Sequence, residues 1–277
     1  MIGVSPAYFI SRYGNRFTPE DVALGLEDLA RLGFQGFQLE VFHADTLADW
    51  AGRGAALVRG RCAELGLKPT QFVAHFMLEG FGDPQSLRSD AAQSQMETVL
   101  EILGHFEGCR LVTVPLPAFK APAALSAGDF QGLYARCLEK IARLAARVEG
   151  AGRRMALEIM PSALIDGSEG LLRLCERLGT DSLGFNFDTG HAWAAKENLV
   201  LIPARLEPRI LGTHLCDNFG HENLSLRPGA GSIDWPRIVA ALKACGFSGS
   251  WDIEIICPPE QVLDEYGAGR RFIENLL

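Results

Sequence analysis

Eight short apolar segments alternate with longer amphipathic segments along the whole chain of 277 residues. Each short segment has the length and the apolar content of a buried strand. The eight predicted strands are residues 2–5, 36–40, 70–75, 110–114, 155–159, 183–188, 210–215 and 250–255. Strands that alternate with helices form parallel sheets, and eight such repeats are typical of a closed barrel. The sequence therefore predicts an α/β fold, a single (β/α)₈ TIM barrel domain over residues 1–277.

The segments between the strands carry the apolar periodicity of helices. Among the predicted helices are residues 87–103, 133–148, 235–245 and 259–276. A further helix should begin after Thr18, because a Thr cap, Pro19 in the first position and an acidic Asp21 are typical helix-start signals. An open doubly wound sheet is the alternative fold. It would normally place a glycine-rich phosphate loop after the first strand, and residues 2–12 contain none.

Charge and composition exclude several classes of partner. The formal net charge of −8 disfavours binding to a phosphate backbone, so no nucleic acid partner is expected. No apolar run reaches the roughly 20 residues of a membrane span. Since no signal peptide is evident at Met1, we predict a cytoplasmic protein without a membrane partner. The seven cysteines form no CxxC pair and are predicted to be reduced, and a homo-oligomer is left open.

Side chains of a strand alternate between the two faces of the sheet, so the sequence indicates which of them face the barrel interior. In the sixth predicted strand, Phe185 and Phe187 share one face, and Asn186 and Asp188 share the other. We expect the polar pair inside the barrel and the aromatic pair against the helices. The same alternation directs further polar residues inward: Gln38, Glu40, His75, Glu158, His214, Asp252 and Glu254.

Four of these inward residues predict a metal centre. Buried carboxylates repel one another and tend to become protonated, whereas a divalent cation removes that conflict. Three carboxylates and one imidazole suit one Mn²⁺, Mg²⁺, Co²⁺ or Zn²⁺ ion. Taken singly, each residue has an ordinary explanation as a helix cap, an ion-pair partner or a hydrogen-bonded core histidine. Together they lie at the ends of four consecutive strands: Glu158, Asp188, His214 and Glu254.

Five segments in this order resemble one known family. They are residues 157–159 (LEI), 187–191 (FDTGH), 212–218 (GTHLCDN), 229–235 (GAGSIDW) and 253–254 (IE). The chain resembles the xylose isomerase-like barrel superfamily, which contains sugar isomerases, sugar epimerases and endonuclease IV. The resemblance implies that the four residues named above hold the metal, and that Glu158 and Glu254 are also the catalytic acid and base. It further implies that His191 contacts a substrate oxygen and that His75 contacts the substrate or a second metal.

The chain also departs from the family. The endonuclease branch needs three metal ions and further ligands, including a histidine on the fourth strand, where residues 114–117 read VPLP. In the loop after the seventh strand, Phe219, Ser225 and Ala230 stand where many relatives have acidic or histidine residues. A single metal centre is therefore predicted. Because this loop is unusual, the substrate is not inferred from any one relative.

The predicted function is that of a metal-dependent isomerase or epimerase of a small sugar or keto-sugar. Such a reaction moves a proton through an enediolate intermediate, which two carboxylates and a metal ion can support. The candidate substrate-binding residues are Glu40, His75, His191 and Arg227. The alternatives are a metal-dependent dehydratase of a keto-inositol or a dehydroshikimate-like compound, and a non-catalytic carbohydrate-binding barrel. An endonuclease IV-like repair enzyme is the reading that the sequence favours least.

Overall fold

A computed structural model describes residues 1–277 and contains eight parallel strands in one nearly closed barrel. The strands run in the order β7-β6-β5-β4-β3-β2-β1-β8, and a parallel bridge between Leu215 and Ile253 joins the two ends of the sheet. The strands are β1 Ile2–Val4, β2 Gly36–Glu40, β3 Lys68–Val73, β4 Leu111–Leu116, β5 Arg154–Ile159, β6 Leu183–Asp188, β7 Ile210–His214 and β8 Trp251–Ile253. The predicted (β/α)₈ barrel is confirmed.

Helices surround the barrel, and none of them is long and apolar enough to cross a membrane. They are α1 Ala7–Tyr13, α2 Pro19–Leu32, α3 Leu47–Asp49, α4 Ala55–Leu65, α5 Pro84–Arg88, α6 Gln95–Gly104, α7 Ala127–Gly150, α8 Gly167–Leu178, α9 Thr189–Ala194, α10 Ile202–Leu206, α11 Trp235–Ala244 and α12 Val262–Glu274. Short turns of other helix types cover Ala44–Thr46, Trp50–Gly54, His75–Gly80 and Pro259–Gln261.

Helix α2 begins where its sequence signals predict. The Thr18 hydroxyl accepts a hydrogen bond from the Asp21 backbone N–H at 3.2 Å. The Asp21 carboxylate in turn accepts one from the Thr18 backbone N–H at 2.8 Å. Two of the backbone donors that a helix start leaves unpaired are satisfied in this way. Helix α1, which precedes this cap, was not predicted.

The predicted helix 87–103 is wrong over its first part. Helix α5 ends at Arg88, α6 begins at Gln95, and Ala92 between them has a φ of 73°. The buried ammonium group of Lys140 from α7 explains the break, because it binds the backbone oxygens of Ser86 and Ser89 at 2.9 and 3.2 Å. A continuous helix would need these oxygens for its own hydrogen bonds.

Strands β3 and β8 end before the candidate residues His75 and Glu254, although both residues keep their place at the rim. Strand β3 covers Lys68–Val73, so His75 begins the following turn instead of ending the strand. Strand β8 ends at Ile253, and Glu254 follows it. The Glu254 backbone N–H still donates to the Leu215 carbonyl at 3.0 Å, which continues the ladder beside β7.

The barrel interior is polar and hydrogen-bonded, as the strand alternation predicts. The Gln71 amide donates to Asn186 Oδ1 at 3.1 Å, and the Thr113 hydroxyl donates to Gln71 Oε1 at 2.5 Å. Gly212 makes room for this cluster, since a Cβ atom there would lie 2.6 Å from Asn186 Oδ1. Buried polar groups are tolerated when they are paired in this manner. The apolar strand faces pack outward against the helices in one continuous core.

Candidate metal centre

Four side chains converge at the carboxyl-terminal rim of strands β5 to β8. Glu158 lies one residue before the end of β5, Asp188 and His214 end β6 and β7, and Glu254 follows β8. One donor atom from each of the four lies within 4.8 Å of every other. Metal–ligand bonds of about 2.0–2.2 Å place donors on opposite sides of one ion roughly 4 Å apart. The four donors are therefore grouped at the scale of a single ion.

His214 lies at the centre of the group. Its Nδ1 atom is 2.9 Å from Glu254 Oε2, 3.3 Å from Glu158 Oε1 and 3.8 Å from Asp188 Oδ2. The side chains are nearly inaccessible, with exposed fractions of 3% for His214 and 2–13% for the three carboxylates. The group is consequently shielded from bulk water, and its charges interact strongly.

The electrostatics show competition for positive charge. Burial and the negative charges of Glu254 and Glu158 raise the pKa of Asp188 to about 7, against the opposing effect of His191. Burial would also raise the pKa of Glu158, but His214 and His191 lower it to about 2. Burial lowers the pKa of His214, yet Glu158 and Glu254 together raise it well above its usual value. Without a cation, protons must supply the compensating charge.

One carboxylate oxygen tests whether the group suits a metal ion. Asp188 Oδ1 accepts a hydrogen bond from the His191 backbone N–H at 2.6 Å, which orients the carboxylate. Asp188 Oδ2 is buried and has no hydrogen-bond partner. An unpaired buried carboxylate oxygen is costly, and a cation held by the same group would remove that cost. The donor set of three carboxylates and one imidazole fits a divalent ion such as Mn²⁺, Mg²⁺, Co²⁺ or Zn²⁺.

His191 lies beside the group. Asp188 caps helix α9, which turns the third residue of that helix, His191, back toward the rim. Its Nε2 atom is 3.7 Å from Glu158 Oε1 and 3.9 Å from Asp188 Oδ2. Its Nδ1 atom is buried without a partner. The other ring nitrogen, Nε2, is the one that faces the candidate metal ligands.

Glu40 and His75 form a second pair at the rim. Glu40 ends β2, and its Oε1 atom is 3.7 Å from His75 Nδ1. The other oxygen, Oε2, is buried without a partner, and burial raises the pKa of Glu40 well above its usual value. The His75 ring stacks on Phe42, with the ring centres 4.0 Å apart. Phe42, two residues after β2, thus holds the His75 ring.

The loop after β7 is organised by Asp217, a residue to which the sequence did not assign a role. Its carboxylate accepts hydrogen bonds from the backbone of Gly229 at 3.0 Å and from the Trp235 indole at 2.8 Å.

The same loop also contacts one candidate metal ligand. The Ser225 hydroxyl donates to Glu254 Oε1 at 3.2 Å and so holds the Glu254 side chain. No local sequence signal predicts a contact between residues 29 positions apart.

Arg227, the fourth candidate for substrate binding, lies on the same loop. Its guanidinium Nε is 3.1 Å from Glu265 Oε2 on α12. None of its ion pairs or hydrogen bonds reaches the four-residue group. The structure thus brings His191 beside the candidate metal ligands and pairs Glu40 with His75, while Arg227 forms an ion pair with the outer helix α12.

The sequence profile described as "Xylose isomerase-like TIM barrel" matches residues 26–276. The chain belongs to this family. Two curated relatives match only in part: the uncharacterized protein y4fM of Sinorhizobium fredii is 32% identical over 75 residues, and the uncharacterized protein MJ1311 of Methanocaldococcus jannaschii is 30% identical over 111 residues. The matches span 27% and 38% of this chain, and 24% and 38% of those relatives.

Solved structures extend the likeness to the whole barrel. D-psicose 3-epimerase with D-tagatose from Clostridium cellulolyticum H10 has 17% identity and a TM-score of 0.77, with 99% of this chain and 98% of that one covered. YcjR of E. coli, a 3-keto-D-glucoside 4-epimerase, has 20% identity and a TM-score of 0.74, with 98% of each chain covered. The IOLI protein with a binding zinc atom has 15% identity and a TM-score of 0.76, with 99% and 97% covered. At these identities the likeness shows the fold of this xylose isomerase-like barrel.

Proposed function

We propose that this chain is a metal-dependent isomerase or epimerase of a small sugar or keto-sugar. The observation that carries the proposal is the convergence of Glu158, Asp188, His214 and Glu254 at the carboxyl-terminal rim, with one Asp188 oxygen left unpaired. Barrel enzymes place their chemistry at this rim. The family relatives that carry sugar epimerase names add support, because they share the whole barrel.

The two glutamates are the proposed acid and base. Along the four consecutive strands, Glu158 and Glu254 are the outermost ligands, and Asp188 and His214 lie between them. Carboxylates on the two sides of a bound sugar could reach opposite faces of a planar enediolate. One would remove the proton from carbon and the other would return it, which is the exchange that epimerisation requires. Isomerisation needs the same removal, with the proton returned to the neighbouring carbon.

A bound divalent ion would stabilise the negative charge that develops on the substrate oxygens. The Ser225 hydroxyl donates to Glu254 Oε1 at 3.2 Å. This contact leaves Glu254 Oε2 for metal binding and proton transfer. The low exposure of all four side chains shields their charges from bulk water, which would strengthen their interaction with a bound ion.

The proposed substrate contacts are His191, His75 and Glu40, with Arg227 as a more distant candidate. His191 Nε2 lies 3.7 Å from Glu158 Oε1, and Glu40 Oε2 is a buried carboxylate oxygen without a partner in the neighbouring pair. A polyhydroxylated molecule offers hydroxyl groups that can both donate and accept, so it can satisfy such atoms. Arg227 would have to leave Glu265 to contact a substrate.

The test is exchange of carbon-bound hydrogen in deuterated water. Metal-loaded protein is incubated with a panel of ketoses, keto-inositols and hydroxypyruvate, and products are examined by mass spectrometry and proton NMR. We expect deuterium at carbon without loss of water from one member of the panel. Loss of 18 mass units would assign the dehydratase reaction instead, and absence of any exchange would favour the carbohydrate-binding barrel.

Variants then test the two glutamates. Glu158→Gln and Glu254→Gln should each lower turnover about 10²–10⁴-fold, the usual contribution of a general acid or base. Glu197→Gln is the matched control, because Glu197 is similarly buried, with 16% of its side chain exposed, but bonds to Ser168 outside the metal centre. Normal turnover in either active-site variant, with metal bound, would remove that residue from the proton-transfer mechanism.

A further inference from the structure

The two ring nitrogens of His214 face different surroundings. Nδ1 points toward the three carboxylates of the metal centre, with Glu254 Oε2 at 2.9 Å. Nε2 points down into the barrel and lies 2.8 Å from Gln38 Oε1 on β2. A neutral imidazole carries its hydrogen on one nitrogen and leaves a lone pair on the other. If Nε2 carries the hydrogen and donates it to a partner, Nδ1 keeps its lone pair and can bind a metal ion.

The orientation of the Gln38 side chain follows from its other contacts. Its amide nitrogen donates to the Thr213 carbonyl at 3.3 Å and to Asp252 Oδ2 at 2.9 Å. A backbone carbonyl can only accept a hydrogen bond, so the nitrogen of the amide must face it. The amide oxygen then faces His214. Gln38 is completely buried, and a flipped amide would set its oxygen against the Thr213 carbonyl and the Asp252 carboxylate, acceptor against acceptor.

Asp252 holds this amide in place. Its carboxylate is 1% exposed and also accepts hydrogen bonds from the Thr70 hydroxyl at 2.9 Å and the Ser250 hydroxyl at 2.5 Å. Gly3 on β1 makes room for it, because a Cβ atom there would lie 2.1 Å from Asp252 Oδ1. Thr70 on β3 and Ser250 just before β8 thus fix the carboxylate, and the carboxylate fixes the amide.

We propose that Gln38, held by Asp252, is a positioning residue that keeps the hydrogen of His214 on Nε2 and presents Nδ1 to the metal ion. Neither residue touches the four-residue metal centre except through His214. Partners of this kind orient metal-binding histidines, and their loss typically weakens metal binding about 10–100-fold. The inference rests on the metal-binding part of the proposed function. It extends the residues that determine metal affinity to Gln38 and Asp252 in the barrel interior.

The first test uses the wild-type protein loaded with Zn²⁺, a diamagnetic ion that the donor set fits. Nitrogen-15 NMR of the His214 ring then shows which ring nitrogen carries the hydrogen and which one binds the ion. We expect the hydrogen on Nε2 and the ion on Nδ1. A ring that binds the ion through Nε2 and carries its hydrogen on Nδ1 would overturn the inference, whatever the behaviour of any variant.

The second test compares Mn²⁺ affinity by isothermal titration calorimetry. Gln38→Leu removes the acceptor and keeps the approximate size of the side chain, so the Kd should rise about 10–100-fold. Gln38→Glu keeps an acceptor oxygen toward His214, and the two carboxyl groups can share a proton, so its Kd should stay close to that of the wild type. Gln71→Leu is the matched control, an equally buried interior amide that bonds Asn186 and Thr113 instead of a metal ligand.

The outcomes separate two failures. If the wild type binds no Mn²⁺, the proposed function fails at its first step. If the wild type binds Mn²⁺ and Gln38→Leu binds it equally well, only the positioning role of Gln38 is refuted. Equal weakening in Gln38→Leu and Gln71→Leu would also refute it, since the effect would then come from interior packing.

Discussion

Lys140 offers a sharp test of how the segment after β3 is held. Its side chain is fully buried on α7, and its ammonium group donates to the backbone oxygens of Gly80, Ser86 and Ser89 at 2.9, 2.9 and 3.2 Å. No carboxylate pairs with it. Lys140→Met keeps the stem and removes the charge, which leaves the Gly80 and Ser89 oxygens without their donor. The Ser86 oxygen retains the Ser89 hydroxyl at 2.8 Å.

The size of the effect follows from these contacts. Each buried carbonyl without a donor costs about 1–3 kcal/mol. Two such carbonyls, offset in part because no ammonium group is desolvated, give a loss of about 2–4 kcal/mol in the free energy of unfolding. Urea denaturation followed by circular dichroism measures this loss. Hydrogen exchange should become faster in residues 80–93, while Mn²⁺ affinity stays unchanged because the metal centre lies on other strands.

Arg143→Met on the same helix is the control, since Arg143 is exposed and makes no ion pair. It removes one positive charge without disturbing a buried contact, and it should leave the free energy of unfolding nearly unchanged. The reasoning is refuted if Lys140→Met is as stable as the wild type, or if the two variants lose the same amount.

Three further predictions concern the metal centre, the loop after β7 and helix α2. Mn²⁺ affinity should fall as pH decreases through 7, by roughly tenfold per pH unit for each displaced proton. Burial raises the pKa of Asp188 to about 7, and neighbouring carboxylates keep His214 protonated, so the ion must displace protons from both residues. Calorimetry in two buffers with different ionisation enthalpies counts the protons released. Gly231→Ala should destabilise the protein by about 1–3 kcal/mol in thermal unfolding, since its Cβ would lie 2.3 Å from Asp217 Oδ1. Thr18→Ala should cost about 1 kcal/mol in urea denaturation through loss of the helix cap, and an unchanged midpoint would contradict that.

The barrel and the inward placement of Asp188 could be predicted because they depend on repeated or local patterns. Alternation of Phe187 and Asp188 along one strand sets which side chain faces inward. Parallel strands then bring their carboxyl ends to one rim, so residues from four separate strands meet without any further assumption. The capping box at Thr18 is equally local, because its two partners are three residues apart.

The features that escaped prediction depend on contacts between distant parts of the chain. The break between α5 and α6 is caused by Lys140, which lies 51 residues beyond Ser89. The orientation of His214 depends on Gln38, at a separation of 176 residues. Alternation placed Gln38 inside the barrel but could not state which interior group it would meet. That pairing depends on the stagger of the strands, which no local pattern reports.

Stoichiometric metal binding tests the central claim most directly. Metal-stripped protein is titrated with Mn²⁺ in a calorimeter at neutral pH, beside the His214→Ala variant with its fold checked by circular dichroism. One ion should bind per chain, at the single group formed by Glu158, Asp188, His214 and Glu254, and the variant should show little or no binding. An absence of binding by the wild type, or equal binding by the variant, would contradict the account.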